Sequence, residues 1–249
     1  MDAVVLAGGL GTRLRERVPD VPKPMAPVAG RPFLAWLLDE LVHAGFRRAI
    51  LSVGYLGDRI ESAFGPSYRS LDLVYAAEPS PLGTGGAIRN ALAAAGLSDA
   101  PIWVLNGDSI VRLDHARMWS AHQQQGIDPA KMTMAVTAAV DTGRYGALEI
   151  REGRVVRFNP AGSGRPGPIN AGAYLLHRQI FEGWALPAAF SFEGDFLARN
   201  TNRLRIAAFE TDGWFIDIGL SADYERAQTE LPAMLSGTRV PHHAGPCTA

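Results

Sequence analysis

Short apolar runs alternate with helical patterns through the first half of the chain, and that alternation leaves few architectures open. AVVLA (3–7) is followed by FLAWLLDELVHAG (33–45) and RAILSV (48–53). The middle segment sets Phe33, Leu34, Leu37, Leu38 and Leu41 on one stripe, and Gly45 stops it, so the three segments form a βαβ unit. LDLVYA (71–76), a helical GGAIRNALAAA (85–95) and PIWVLNGD (101–108) continue the series. The pattern predicts a Rossmann-like α/β fold, with a mostly parallel sheet covered by helices on both faces. Such sheets bind ligands beyond the carboxyl ends of their strands, where both glycine-rich stretches and the Asn106-Gly107-Asp108 turn fall. Further on, TMAVTAAV (133–140), ALEIREGRVVRF (147–158) and INAGAYLL (169–176) read as longer alternating strands, with a hairpin turn at Glu152-Gly153. AGSGRPGP (161–168) reads as a loop. Residues 1–231 are expected to form a single domain with halves 1–140 and 141–231, and 232–249 to be a flexible tail without apolar period.

Composition narrows the function classes. At 249 residues and 47% hydrophobic, the chain can bury a full core. Basic and acidic residues nearly cancel, 24 against 25, which argues against nucleic acid or an anionic membrane as partner, so a basic site must be local. Cys247 is the single cysteine, which excludes an intrachain disulfide or a cysteine-based metal site and suits a reducing cytoplasm. No apolar run approaches the ~18 to 20 residues of a membrane span. Neither secretion nor membrane anchoring is expected.

Behind the first strand stands Leu6-Ala7-Gly8-Gly9-Leu10-Gly11-Thr12-Arg13. Glycines there let backbone N–H groups approach a phosphate, though a plain glycine-rich turn would read the same. The Gly-Lys-Ser/Thr ending of a P-loop is missing, and so is the G-x-G-x-x-G fingerprint. Arg13 offers a planar fork to phosphate oxygens, and Lys23, between Pro22 and Pro24, is a point charge on stiffened backbone. Arg15 and Arg17 are expected to face solvent.

The combination L-A-G-G-x-G-T-R-L with P-K-P resembles the signature of the sugar-phosphate nucleotidyltransferases, which join a sugar 1-phosphate to a nucleotide. PLGTGGAI (81–88), VLNGD (104–108), RYGALEI (144–150), INAGAY (169–174) and WFIDIG (214–219) follow in that family's order. Within it, KPMAPVAGRPFLAWLLD, ILSVGYLGDRI and EPSPLGTGGAIRNAL are most similar to the D-glycero-α-D-manno-heptose 1-phosphate guanylyltransferases, which make GDP-heptose for bacterial surface polysaccharides.

The resemblance implies GTP and a sugar 1-phosphate as partners, Mg²⁺ as cofactor, and attack by a sugar-phosphate oxygen on the nucleotide α-phosphorus. Such chemistry needs cations, a metal and alignment rather than a protein nucleophile. Asp108 and Asp217 become the candidate metal ligands, the first alternatively an Asx-turn cap and the second a helix N-terminal group. Arg13 and Lys23 would hold the triphosphate as the catalytic cations. On the nucleotide side the resemblance also gives Leu6, Ala7, Gly8, Gly9, Gly11, Thr12, Glu78, Pro81, Gly83, Thr84, Asn106 and Gly107. The 81–86 stretch is either a flat-base contact or a helix-entry loop, and Glu78 and Gly83 are where base choice would be made.

On the sugar side, Asn170, Ala171, Gly172, Tyr145 and Gly146 match family stretches. Glu149 is either an acceptor for sugar hydroxyls or an exposed strand residue, and Glu193 and Asp195 lie near the sugar or on a solvated helix start. The family's F-x-E-K-P is replaced by Val156-Arg157-Phe158-Asn159-Pro160, so either Arg157 or Arg165 supplies the cation missing at Asn159, or the sugar phosphate is held differently. Other base and sugar pairs stay open: mannose 1-phosphate with GTP, or N-acetylmuramate 1-phosphate with UTP. A non-catalytic sugar-nucleotide-binding subunit and a homo-oligomer are further alternatives.

Overall fold

The computed structural model describes residues 1–9, 21–94, 96, 100–126, 131–139, 141–159, 164–211, 214–219 and 221–235. In chain order they form β1 (Asp2–Leu6), β2 (Pro27–Val28), β3 (Arg31–Pro32), α1 (Phe33–His43), β4 (Arg48–Val53), α2 (Gly57–Phe64), β5 (Ser67–Tyr68) and β6 (Leu71–Ala77). Then come α3 (Gly83–Ala94), β7 (Ile102–Asn106), β8 (Ser109–Val111), α4 (His115–Gln124), β9 (Lys131–Ala139), β10 (Ala147–Arg151), β11 (Arg154–Asn159) and β12 (Gly167–Leu176). A π-helical segment Phe192–Leu197 leads into α5 (Ala198–Asn200), followed by β13 (Arg205–Glu210), β14 (Phe215–Asp217) and α6 (Ser221–Leu235).

Ten strands share one sheet in the order β10-β11-β13-β9-β12-β7-β1-β4-β6-β5. Its N-terminal half, β7-β1-β4-β6, is parallel throughout, as the continuous apolar runs require of strands buried on both faces. Alternate residues of β1 show the two covered faces: Ala3 and Val5 join the core under α1, while Val4 joins the one under α3. The second half is not a separate unit. Strand β12 inserts antiparallel between β7 and β9, so residues expected on the sugar side extend the same sheet.

Some boundaries differ from the sequence reading. Helix α6 runs through Pro232 to Leu235, and buried Leu231 and Met234 anchor its last turns, so 232–235 is not tail. Apolar anchoring there outweighs the backbone hydrogen bond that a proline removes. Gly167 and Pro168, read as loop, open β12. The remaining tail lies outside the described residues. Among those residues, no helix is long and apolar enough to cross a membrane.

Two histidines make the core sensitive to acid. His115 packs edge-on to Phe46 at 5.5 Å and lies 5.0 Å from the Trp103 ring, and buried His122 meets Thr133 Oγ1 at 2.9 Å. Burial pushes both imidazoles down to about 4; Asp114 partly opposes this at His115, and Lys131 and His177 reinforce it at His122. Between their ordinary 6.5 and about 4, the unfolded chain takes up protons that the fold refuses, so stability falls as pH falls through this window. A His115→Phe, His122→Gln double variant is expected to flatten the dependence of Tm on pH between those values, and a slope equal to wild type contradicts this assignment.

Candidate functional site

The described residues expected on the nucleotide side gather at the carboxyl edge of the parallel strands. Ala7 N–H donates to Ser52 O at 2.8 Å and Gly107 N–H to Leu6 O at 3.0 Å, drawing the ends of β1, β4 and β7 together. That closeness leaves no room for side chains: a Cβ on Gly107 would lie 2.4 Å from Leu6 O, and one on Gly8 2.4 Å from Glu78 Oε1. Glu78 follows β6, accepts the Leu82 N–H on Oε2 at 3.0 Å and faces Ser52 Oγ with Oε1 at 3.4 Å. Leu6, Gly8, Gly9, Glu78, Pro81, Gly83 and Thr84 line one open pocket of about 550 Å³, together with Gly54, Ser80 and Tyr55, which is half exposed. Gly54 and Tyr55 were not singled out in the sequence, although their place just after β4 was a usable signal. Gly11, Thr12 and Arg13 lie outside the described residues.

The glycines of 83–86 prove to serve packing as much as access. Gly83 has a φ of +66°, and a Cβ there would stand 2.6 Å from Phe190 O; one on Gly85 would enter the Phe190 ring. Phe190 O accepts the Gly85 N–H at 2.9 Å, and Thr84 Oγ1 accepts the Phe192 N–H at 2.8 Å. Gly85 and Gly86 therefore admit the 188–190 chain rather than a flat base, whereas Gly83 and Thr84 also face the pocket.

Asp108 and Asp217, distant in sequence, meet because β8 and β14 pair with Asp217 opposite Ser109 and Ile218 N–H donates to Asp108 O at 3.0 Å. Lys23 reaches both: its Nζ lies 2.5 Å from Asp108 Oδ2 and 3.5 Å from Asp217 Oδ1. The lysine sits in a 3₁₀ turn between buried Pro22 and Pro24. Burial raises the Asp217 carboxyl, Asp108 raises it further, and Lys23 and the Gly219 N–H pull it back. Two carboxylates meeting at one cation form a donor set that suits magnesium, which takes one or two carboxylates and completes its shell with phosphate and water oxygens. Among the described residues no group of three or more histidines, cysteines or acids gathers that could act as a separate metal cage.

On the sugar side, Asn170 Nδ2 donates to Tyr174 Oη at 2.5 Å and to Glu193 Oε1 at 2.8 Å, Tyr174 Oη donates to Glu193 Oε1 at 2.9 Å, and Asn170 Oδ1 accepts the Gly172 N–H at 3.0 Å. Burial raises the Glu193 carboxyl, the Tyr174 hydrogen bond opposes that, and the charges of Asp108 and Asp217 add to the rise. Those charges tie the network to the Lys23 junction. A register shift in β12 falls between Asn170 and Tyr174, and Gly172, at φ +71°, presses on Asn106 Nδ2 and Ser109 Oγ, where a Cβ would lie 2.7 and 2.9 Å away. Asn106 thus touches the sugar-side bulge.

Several residues expected on the sugar side also make contacts within the protein. Ala171 is buried in the core. Gly146 takes a φ of +79° after Tyr145, whose hydroxyl donates to Asp223. Glu149 pairs with Arg151 and, 3.7 Å away across the hairpin, with Arg157, whose side chain is three-quarters exposed. Asn159 ends β11, and Arg165 O accepts from the Thr142 amide and hydroxyl. Asp195 accepts the Ser191 N–H and pairs with Arg199, a helix-start role.

The nucleotidyl transferase family model matches residues 2–233. A D-glycero-alpha-D-manno-heptose 1-phosphate guanylyltransferase of Aneurinibacillus thermoaerophilus is 38% identical over 93% of this chain and 98% of its own. The enzyme of the same name from Campylobacter jejuni is 36% identical over 90% and 97%. HddC from Yersinia pseudotuberculosis, solved in complex with GMP-PN, superposes with a TM-score of 0.77 at 35% identity, over 92% of this chain and 98% of that one. The chain belongs to the nucleotidyl transferase family.

Proposed function

We propose that the chain transfers a guanylyl group from GTP to D-glycero-α-D-manno-heptose 1-phosphate, giving GDP-heptose and pyrophosphate. The observation that carries the reading is the meeting of Asp108 and Asp217 at Lys23, between the pocket lined by Glu78 and the Asn170–Glu193 network. The heptose assignment rests on two relatives bearing that activity in their names, each aligned over nearly its whole length.

In this reading a sugar-phosphate oxygen forms a bond to the α-phosphorus while the bond to the bridging oxygen of pyrophosphate breaks. Both reactants are anions, so the work of the site is neutralising charge and fixing the line of attack. Lys23 offers a fixed ammonium to the phosphate oxygens, and the glycine edge at Gly8 and Gly9 brings backbone close to them. Asp108 and Asp217 would hold a magnesium ion, which when bound supplies charge neutralisation at phosphate oxygens. Asn170 and Glu193 receive sugar hydroxyls as acceptors, through the amide oxygen and the carboxylate, since both Asn170 N–H groups are spent on Tyr174 and Glu193. Glu78 reads the base: guanine presents adjacent N1–H and N2–H donors, which an acceptor-only carboxylate suits.

Pyrophosphate release with Mg²⁺, measured for GTP, UTP, dTTP, ATP and CTP against heptose, mannose, glucose and N-acetylmuramate 1-phosphates, tests the reading. Turnover centred on GTP with the heptose phosphate is expected; preference for another pair would overturn the substrate assignment, and silence throughout would overturn the activity. Glu78→Gln replaces one acceptor by a donor, so kcat/KM for GTP is expected to fall by about tenfold or more. An unchanged value, with Tm preserved, would remove Glu78 from base recognition.

A further inference from the structure

Helix α6 supplies no reacting group, yet it grips the elements that do. Near its start Asp223 is 5% exposed, and a buried carboxylate is tolerated only when its oxygens are satisfied. One oxygen accepts the Tyr145 hydroxyl at 2.7 Å, and the other pairs with Arg226 at 2.6 Å. Glu230 holds Arg226 from the opposite side, through bonds of 2.9 and 3.0 Å. Tyr145 is therefore fixed at its polar end by α6, while its ring stands edge-on to Phe215 at 5.6 Å, two positions before Asp217.

The same helix reaches the other substrate side. Tyr224 Oη donates to Pro27 O at 2.6 Å, Gln228 Nε2 donates to that carbonyl at 3.2 Å, and Gln228 Oε1 accepts the Ala29 N–H at 2.9 Å. Pro27 and Val28 form β2, which follows the Lys23–Met25 turn after a single residue, and Ala29 sits at a φ of +48°, a conformation that needs such bracing. Adjacent residues 223 and 224 thus pull on opposite halves of the site.

We propose that α6 is a clasp that sets the two half-sites against each other: Asp223 is a positioning residue for Tyr145 on the sugar-phosphate side, and Tyr224 with Gln228 positions the Lys23 turn on the nucleotide side. The inference rests on the transferase reading above for the meaning of the two sides, but not for the existence of the clasp. Each contact is a single hydrogen bond or a bidentate pair to a short turn, so each substitution should loosen one side more than the other.

The test is kinetic and structural. Asp223→Ala and Tyr145→Phe cut the same hydrogen bond from its two ends. Each is expected to raise the KM for the sugar phosphate by about five- to tenfold while that for GTP stays within about twofold, the scale of one lost positioning hydrogen bond. Their double variant should be no worse than the more damaged single one. Asp223→Asn, which keeps an acceptor for the phenol, should recover part of the loss. A Tyr224→Phe, Gln228→Ala variant should show the reverse split, with GTP KM raised or kcat lowered and sugar-phosphate KM near wild type. Amide hydrogen exchange on the full chain gives a readout independent of turnover: Asp223→Ala should speed exchange across 142–148, where Tyr145 and Gly146 amides donate to Thr142 O, and leave 2–7 unchanged. If both KM values rise together, or if exchange at 142–148 matches wild type, the clasp is wrong. Should the enzyme prefer another sugar phosphate, the split is read with that substrate; should none turn over, the exchange result alone decides.

Discussion

The ammonium of Lys23 is the contact on which the site depends. Asp108 and Asp217 arrive from strands far apart in sequence, and two carboxylates brought to one place repel unless a cation stands between them. Burial already raises the Asp217 carboxyl, and Asp108 raises it further; the lysine and the Gly219 N–H oppose that rise. Removing the cation would favour a proton on one of the acids. The proline on either side of Lys23 and the absence of a side chain on Gly219, whose Cβ would lie 2.6 Å from Nζ, keep that charge in place.

Around the junction, steric exclusion does what hydrogen bonds alone could not. Gly107 lets β7 close on Leu6, Gly8 lets β1 close on Glu78, and Gly172 lets β12 bulge against Asn106 and Ser109. Each contact joins a residue expected on one substrate side to the end of another strand. The result is a continuous edge on which the pocket lined by Glu78, the two carboxylates and the Asn170–Glu193 network follow one another. Proximity of this kind is what a reaction between two anions requires, since alignment and neutralisation replace a nucleophilic side chain.

What the sequence showed, and what it hid, follows from how local each signal is. Strands β1, β4, β6 and β7 announce themselves as short, mostly apolar runs, and the Glu152-Gly153 hairpin by its turn residues, both at positive φ. Helices α2 and α4 left little trace because each buries so little: Gly57 and Ile60 in one, Met118 and His122 in the other. The insertion of β12 between β7 and β9 is a long-range choice that no window of sequence contains. In the site, Lys23 was legible as a charge between two prolines and Asp108 as one after a glycine at a strand end, whereas Asp217 and its meeting with Asp108 were visible only through the family resemblance, and nothing local showed that Lys23 joins them. Glycines at 83–86 looked like room for a base, but the Phe190 chain fills the space beside Gly85. Asp223 went unnoticed because nothing in its neighbourhood marks a buried acid until Tyr145 and Arg226 are seen beside it.

The central claim is that Asp108 and Asp217 together form a divalent-cation site between the two substrates. Binding of Mn²⁺, a spectroscopic substitute for magnesium, followed by electron paramagnetic resonance in the presence of a non-hydrolysable GTP analogue, tests it most directly. Wild type should bind the ion, and Asp108→Asn and Asp217→Asn should each weaken binding by about tenfold or more while Tm is kept. Wild-type affinity for Mn²⁺ in both variants would place the metal elsewhere and contradict the account.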